Sequence, residues 1–416
     1  MNQVIYPSSI KGNIQAPASK SVVQRVLAAA LLSNGTSVLN GYTSCDDAYV
    51  AMSIIKHLGA IIHKSGRELK IEGCAPIIQQ AILTELHCGE SGLSSRLFAP
   101  ISVLFSNNVE LQGEGSLIKR PFNIMDKPFK QLNVNFESNN GFLPLRLIGQ
   151  LKAGRIQVDG STGSQFISGL LMTLPLLAQN SVIEVSQLQS KPYIDLTIEV
   201  LKAFGVEVEH TNYEEFYIRG NQQYTAAKYN IEGDWSGASC LLVAGAVAGH
   251  IEVSGLKAVS QQADKAILDV LKLTGATVTE TDNSVTVTKN NLHAFEFDAT
   301  HCPDLFPALA VLAANCKGIS YIDGTKRLVN KESNRALTLQ TEMANIGVKV
   351  EIENNRMLVY GDEIYGGDTF AHNDHRIAMA MAVAGLTAKK TITIAGTECV
   401  NKSYPNFFDD LQSIIG

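Results

Sequence analysis

Cations recur where helices should begin. In "PASKSVVQRVLAAALL" (17–32), Lys20 stands at a helix start and Arg25 follows in the second turn. Arg376 lies at the start of "NDHRIAMAMAV", and Lys191 opens "KPYIDLTIEVLKAF". Lys331 and Arg335 open "KESNRALTL", and Lys402 opens "KSYPNFFDDL". Arg96 begins the helix in "ESGLSSRLFAPISVLFSN", and Arg120 sits in the matching loop of its segment. A helix start already carries about half a positive charge, so an exposed cation there loses roughly 0.3–1 kcal/mol. One such residue is ordinarily a solvated side chain. A set sharing one register implies an anionic ligand, since helix starts also offer free backbone N–H groups to phosphate or carboxylate. Ser21 and Arg25 lie four apart, so one helix face can present a hydroxyl and a guanidinium together.

The other polar candidates have plain readings. Asp304 in "CPDLFP" fits an N-cap, and Glu332 complements a helix dipole. The Asp374–His375 pair reads as a cap beside a satisfied histidine, and "DGSTGSQF" (159–166) reads as a turn. "HNDH" has the wrong helical spacing for two metal ligands and no evident acidic third, so no metal site is expected. There is no P-loop, no dinucleotide glycine fingerprint and no hydrolase elbow. With 34 Lys and Arg against 40 Asp and Glu, the chain has no whole-protein basic footprint for nucleic acid. Its seven cysteines form no Cys-x-x-Cys, which argues against a zinc site or disulfide framework and fits a reducing cytosol. "MNQVIYPSSIKGNIQ" lacks a signal-peptide apolar run, and runs such as "CLLVAGAVAG" fall short of the roughly 20 residues of a membrane span. A soluble cytoplasmic protein is the expectation.

The elements that must position these residues repeat. "TSVLNGYTSCDDAYVAMSIIKHLGA", "SVIEVSQLQSKPYIDLTIEVLKAFGV", "HIEVSGLKAVSQQADKAILDVLKLTGA" and "GISYIDGTKRLVNKESNRALTLQTEMANIGV" each read as a strand, a polar loop and an amphipathic helix closed by glycine. The closing residues are Gly59, Gly205, Gly275 and Gly347. A weaker copy closes at Asn133, the next most tolerant residue for a left-handed cap, and a sixth at Gly416. The period is about 70 residues, longer than usual solenoid repeats. Each period also holds a helix that is apolar nearly all round and should be buried. Six units divide into two groups of three, with the polar stretch Thr211–Asn230 as the divide. The architecture expected is α/β (α+β), two domains each with buried helices and a sheet.

Taken in order, "SKSVVQR", "DGSTGSQF", "SKPYID", "EGDWSGAS", "PD", "VNKESNR", "NDHR" and "KSYPNFF" resemble the EPSP synthase (3-phosphoshikimate 1-carboxyvinyltransferase) family of enolpyruvyl transferases. The resemblance runs from about residue 12 to 412. It implies an inside-out α/β barrel fold of six βαβαββ-type repeats in two domains that close over a cleft: residues 1–18 plus 233–416, and 19–232. It implies transfer of the enolpyruvyl group of phosphoenolpyruvate to the 5-hydroxyl of shikimate 3-phosphate, releasing phosphate, toward chorismate and the aromatic amino acids. By the same resemblance shikimate 3-phosphate meets Lys20, Ser21, Arg25, Ser164, Gln165, Ser190, Tyr193, Asp304 and Lys331. Phosphoenolpyruvate meets Lys20, Gly92, Arg120, Gln165, Arg335, Arg376 and Lys402. Asp304 and Glu332 are the candidates for proton transfer, with Lys20 and Lys402 either donating to the departing phosphate or taking protons themselves. No metal or organic cofactor is implied, nor a nucleic-acid or membrane partner, and the family expectation is a monomer.

Four positions depart from the family pattern. "ESGLSSRLF" (Glu90–Phe98) replaces an Asn-Ala-Gly-Thr-Ala-x-Arg-Pro loop, keeping Gly92 and Arg96 but bringing in Glu90 and Leu97. A carboxylate there should repel phosphoenolpyruvate unless it is protonated or paired with a cation such as Arg96. Gly163 stands where a phosphate-binding serine is common, and Arg327 where some members have Asn. Altered sensitivity to glyphosate, the family's inhibitor at the phosphoenolpyruvate site, is therefore expected. The sister enzyme acting on UDP-N-acetylglucosamine would carry a reactive cysteine near Arg120, and "GEGSLIKRPFNI" has none. A non-catalytic anion binder is the remaining alternative, supported only by the Glu90 loop.

Overall fold

The computed structural model describes residues 1–74, 76 and 83–416. They form two compact units, one of residues 1–19 with 232–416 and the other of residues 20–231.

In the 20–231 unit, helices alternate in character. Helices α1 (Lys20–Leu32), α3 (Gly92–Ser102) and α5 (Gln165–Thr173) are buried along nearly their whole length. Helices α2 (Asp46–His57), α4 (Asp126–Gln131) and α6 (Pro192–Ala203) alternate with them in the chain. In α6 the buried residues Ile194, Thr197, Leu201 and Val200 recur at helical spacing, leaving the opposite face to water. The unit with residue 232–416 repeats this scheme. Helices α7 (Trp235–Ala248) and α9 (Phe306–Ala314) are buried at every position, and α11 (His375–Thr387) nearly so. Helices α8 (Ile267–Leu273), α10 (Arg335–Asn345) and α12 (Phe407–Ser413) lie after each of them. Each fully buried Leu, Ile, Val or Phe side chain contributes about 1.5–3 kcal/mol, so the apolar helices supply the core of each unit.

The sheets follow one plan. Strand Arg155–Asp159 runs parallel to Ser181–Ser186 across α5, and Glu215–Ile218 and Glu209–Thr211 continue antiparallel. Thr84–His87 with Asn108–Gln112, and Glu296–Asp298 with Gly318–Asp323, repeat the parallel crossover. In three repeats a strand arrives from elsewhere. Lys228–Asn230 supplies the parallel neighbour of Thr36–Asn40, and Ile10–Gln15 that of Gly249–Ser254. Asn2–Ile5 pairs antiparallel with Ile392–Ala395. Thr211–Asn230 is itself folded into the 20–231 unit: Phe216 and Ile218 point inward from a ladder strand, and Lys228–Asn230 pairs with Thr36–Asn40.

The helix stops behave as their residue types require. Gly59, Asn133, Gly205, Gly275 and Gly347, two residues past α2, α4, α6, α8 and α10, all take positive φ, from +65° to +109°. The last repeat differs. Helix α12 ends at Ser413, so the equivalent position is Ile415 and Gly416 lies one beyond it. Among the described residues no helix is long and apolar enough to cross a membrane.

Candidate active site

In the unit of residues 1–19 and 232–416, the polar residues collect where α9, α10 and α11 begin. Asp374 caps α11, accepting the Arg376 backbone N–H at 3.1 Å. The same carboxylate accepts Arg335 Nε at 2.9 Å, Arg335 Nη2 at 3.1 Å and the Ser333 hydroxyl at 3.1 Å. Arg335 also donates through Nη1 to Asp304 at 2.8 Å and through Nη2 to Glu332 at 2.6 Å. Asp304 receives Lys331 Nζ at 3.0 Å and Arg376 Nη2 at 3.3 Å. One arginine thus holds three carboxylates, and one aspartate holds three cations. Arg335 and Asp374 are completely buried, while a quarter of the Asp304 side chain remains open.

Burial would pull Arg335 down, but Asp374, Glu332 and Asp304 outweigh it and push its pKa up. Arg376 follows the same logic, with burial opposed chiefly by Asp304. Lys331 moves down, because burial exceeds the help that Asp304 gives. Asp264, within electrostatic reach of Asp304 and Arg376, is fully buried and accepts the Ser236 hydroxyl. Burial, then repulsion from Asp304, pushes its carboxyl up to about 6.

Several placements correct the sequence reading. Asp304 is not a helix cap; it lies in the turn Pro303–Leu305 before α9 and gives both oxygens to cations. Lys402 does not open a helix. It ends the 3₁₀ segment Thr397–Lys402, and α12 starts only at Phe407, after Pro405. Its Nζ donates to the Asn373 carbonyl at 2.8 Å. Lys331, Glu332, Arg335, Asp304, Arg376 and Lys402 are brought to adjoining positions in this unit.

The 20–231 unit gathers the rest at the starts of its buried helices. Lys20, the first residue of α1, lies 3.1 Å from Asp47 of α2. Arg25 is turned inward, not offered beside Ser21 on an open face: it is 1% exposed. It donates to Thr197 Oγ1 (2.8 Å), the Ser21 carbonyl (2.8 Å), Ser168 Oγ (3.3 Å) and the Tyr193 carbonyl (3.3 Å). Burial pulls its pKa down to about 10. Its guanidinium also lies 5.8 Å from the Tyr193 ring centroid. The neighbouring Gln24 accepts the Ser94 hydroxyl at 2.9 Å. Two consecutive residues of α1 therefore fix the starts of α3, α5 and α6. Ser164 is the N-cap residue of α5 and Gln165 its first residue. Gly163 takes φ +127°, which a serine at that position would adopt only with strain. Ser190 precedes α6 at φ +59°.

Gly92 opens α3 against two guanidinium groups. A Cβ there would stand 2.6 Å from Arg120 Nη1 and 3.2 Å from Arg96 Nη1. Arg96 lies in the second turn, not the first. Burial, then repulsion from Arg120, pulls its pKa down to about 9. Arg96 donates to the carbonyls of Gly92 and Pro121 at 3.1 and 3.0 Å, and lies over Phe122. It is not the partner of Glu90. That carboxylate accepts the Ser116 backbone N–H at 2.8 Å and packs on Gly115. Glu90 is thus a clasp for the loop leading to Arg120.

Sequence reasoning missed Gln24, Asp47, Ser168, Thr197, Asp264 and the second task of Asp374. Gln24 and Arg25 interrupt the apolar "VVQRVLAAALL", and a buried polar pair in such a run signals remote hydrogen-bond partners.

Concentrated cations, shared carboxylates and helix starts define a protein that binds small polyanions and moves protons beside them. The family model for EPSP synthase (3-phosphoshikimate 1-carboxyvinyltransferase) matches residues 4–411. The chain is 37% identical over 414 residues to the 3-phosphoshikimate 1-carboxyvinyltransferase of Clostridium kluyveri, covering 99% of this chain and 97% of that one. It is also 37% identical to that of Clostridium acetobutylicum over 418 residues, covering 99% and 97%. A 2.37 Å structure of the EPSP synthase from Acinetobacter baumannii superposes with a TM-score of 0.83 at 23% identity, over 100% of this chain and 98% of that one, which bears on fold alone. The chain belongs to the EPSP synthase family.

Proposed function

We propose that this chain transfers the enolpyruvyl group of phosphoenolpyruvate to the 5-hydroxyl of shikimate 3-phosphate, releasing inorganic phosphate. The observation that carries this reading, in a chain matched to the family from residue 4 to 411, is the Asp304 carboxylate holding Lys331, Arg335 and Arg376 at once.

Both substrates carry a carboxylate and a phosphate, each phosphate bringing about −1.5 to −2 charges. Their charge competes with Asp304 and Glu332 for the same cations. When phosphoenolpyruvate engages Arg376 and Lys402 and draws on Arg335, Asp304 and Glu332 lose part of their ion pairing. Their basicity then rises, which suits them to proton transfer at that moment. Glu332 exchanges a proton with the methylene carbon of phosphoenolpyruvate, leaving cationic character at the adjacent carbon. Asp304 takes the proton of the attacking 5-hydroxyl. The tetrahedral adduct then loses phosphate, with Lys20 and Lys402 meeting the leaving group, as the new methyl group returns a proton to Glu332. Ser164, Gln165, Ser190, Tyr193, Ser21 and Arg25 serve shikimate 3-phosphate, with Lys331. Gly92 and Arg120 serve phosphoenolpyruvate, with Lys20 and Gln165.

The reading includes a cytoplasmic monomer, in keeping with seven free cysteines. Light scattering of the purified chain tests the monomer. A phosphate-release assay tests the reaction. Turnover with phosphoenolpyruvate and shikimate 3-phosphate supports it; turnover only with UDP-N-acetylglucosamine as acceptor, or with neither, rejects it.

A further inference from the structure

Helix α10 carries Arg335 and Glu342 seven residues apart, two turns along one face. Arg335 grips Asp374, as described above. Glu342 grips the same loop four residues earlier. It is 2% exposed. Its Oε2 accepts the Phe370 backbone N–H at 2.9 Å and Asn345 Nδ2 at 3.2 Å. Its Oε1 lies 2.6 Å from His372 Nε2. The His372 ring stands edge-on to Phe370, with centroids 4.9 Å apart.

This grip falls on backbone that needs holding. His372 and Asn373 both occupy the left-handed region, at φ +53° and +54°, where side-chain-bearing residues are uncommon. The double turn aims the Asn373 carbonyl at Lys402 Nζ and delivers Asp374 to its cap on α11. Phe370 also abuts Gly396, where a Cβ would stand 3.0 Å from its ring, and Gly396 immediately precedes the segment that ends at Lys402.

We propose that the Glu342–His372 pair is a positioning element that holds the 370–374 loop in its left-handed turn and so fixes Lys402 and Arg376 for phosphoenolpyruvate. Neither residue is assigned contact with substrate. The inference rests on the enolpyruvyl-transfer reading for its kinetic consequence, but not for its structural one. Without the Nε2 contact the turn relaxes and the Asn373 carbonyl swings away from Lys402. Displacement of a substrate-positioning group by about 1 Å can cost as much as 10²-fold in rate.

Two substitutions separate the contact from the backbone. His372→Asn tolerates the left-handed conformation but stops short of Glu342. His372→Gln can place its amide nitrogen near the position of Nε2. His372 is 36% exposed, so both variants should fold. Kinetics with each substrate varied, together with amide hydrogen exchange over residues 370–376, form the test. His372→Asn should lower kcat/KM for phosphoenolpyruvate about tenfold. It should leave KM for shikimate 3-phosphate within about twofold, speed exchange at Phe370, and be largely rescued in His372→Gln. Wild-type kcat/KM for phosphoenolpyruvate in His372→Asn overturns the inference, as does an equal loss for both substrates without rescue. If the parent chain proves inactive with this substrate pair, the reading of the reaction falls, and exchange still decides the inference. Faster exchange at Phe370 in His372→Asn upholds the grip, and unchanged exchange removes it.

Discussion

Removing the Asp304 carboxylate should uncouple anion binding from turnover. In Asp304→Ala, Lys331, Arg335 and Arg376 lose the acid they share. Breaking a buried ion pair from one side costs about 3–5 kcal/mol. Two facts put this case at the low end. Asp304 keeps 26% of its side chain in contact with solvent, and Arg335 keeps Asp374 and Glu332. A loss near 3 kcal/mol, in a unit of this size, lowers Tm by about 6–12 °C. An added anion should reverse much of that loss by replacing the missing charge, so phosphate should raise the Tm of the mutant more than that of the parent. Turnover behaves differently, because general acid–base catalysis supplies about 10²–10⁴-fold and phosphate cannot substitute for it. The assay is kcat and KM for both substrates alongside melting curves with and without phosphate. The expected result is kcat down at least 100-fold with KM for phosphoenolpyruvate unchanged or lower. A kcat within tenfold of the parent, or a phosphate response no larger than the parent's, refutes the reasoning.

The remaining expectations concern buried groups and the Glu90 clasp. The folded chain holds the Asp264 proton more tightly than the unfolded chain does, because its carboxyl is pushed up to about 6. The stability from that proton is full below about pH 4 and is lost as pH rises through 6. Asp264→Asn should therefore match the parent near pH 4 and exceed it by about 3 kcal/mol at pH 7 in urea unfolding; equal pH slopes would contradict this. In Gly115→Ala, at φ +54°, the new Cβ would meet the Glu90 carboxyl carbon at 2.2 Å. KM for phosphoenolpyruvate should rise several-fold while kcat changes little, and an unaltered KM would remove the clasp from the account. Burial pushes the thiols of Cys88, Cys240, Cys316 and Cys399 up to about 12. A thiol reagent at pH 8 should therefore modify these four only on unfolding, with full activity retained; fast native labelling of any of them would contradict their placement.

The repeat was legible because left-handed helix stops restrict residue type. Gly59, Asn133, Gly205, Gly275 and Gly347 had to be glycine or asparagine, so their spacing exposed the period. Gly416 misled by one position because α12 is short and stops at Ser413. The borrowed strands were not legible. Asn2–Ile5, Ile10–Gln15 and Lys228–Asn230 are short, partly polar segments whose partners lie 190 or more residues away in sequence, beyond any local pattern. Helix-start cations were readable by type and register, but not their occupants. Asp374 satisfied a capping rule, which hid its grip on Arg335, and Asp304 satisfied a capping rule it does not follow. Arg25 turns inward because Ser168 and Thr197 wait there, and neither hydroxyl is near it in sequence.

In the proposed reaction Glu332 protonates the methylene carbon of phosphoenolpyruvate, and the resulting methyl group later loses a proton. Running the reaction in deuterium oxide and examining the product's vinyl methylene by mass spectrometry and proton NMR tests it most directly. Addition through a methyl-bearing intermediate predicts solvent deuterium in that methylene, alongside stoichiometric phosphate release. A product formed at full rate with no deuterium at that carbon would contradict the work assigned to Glu332.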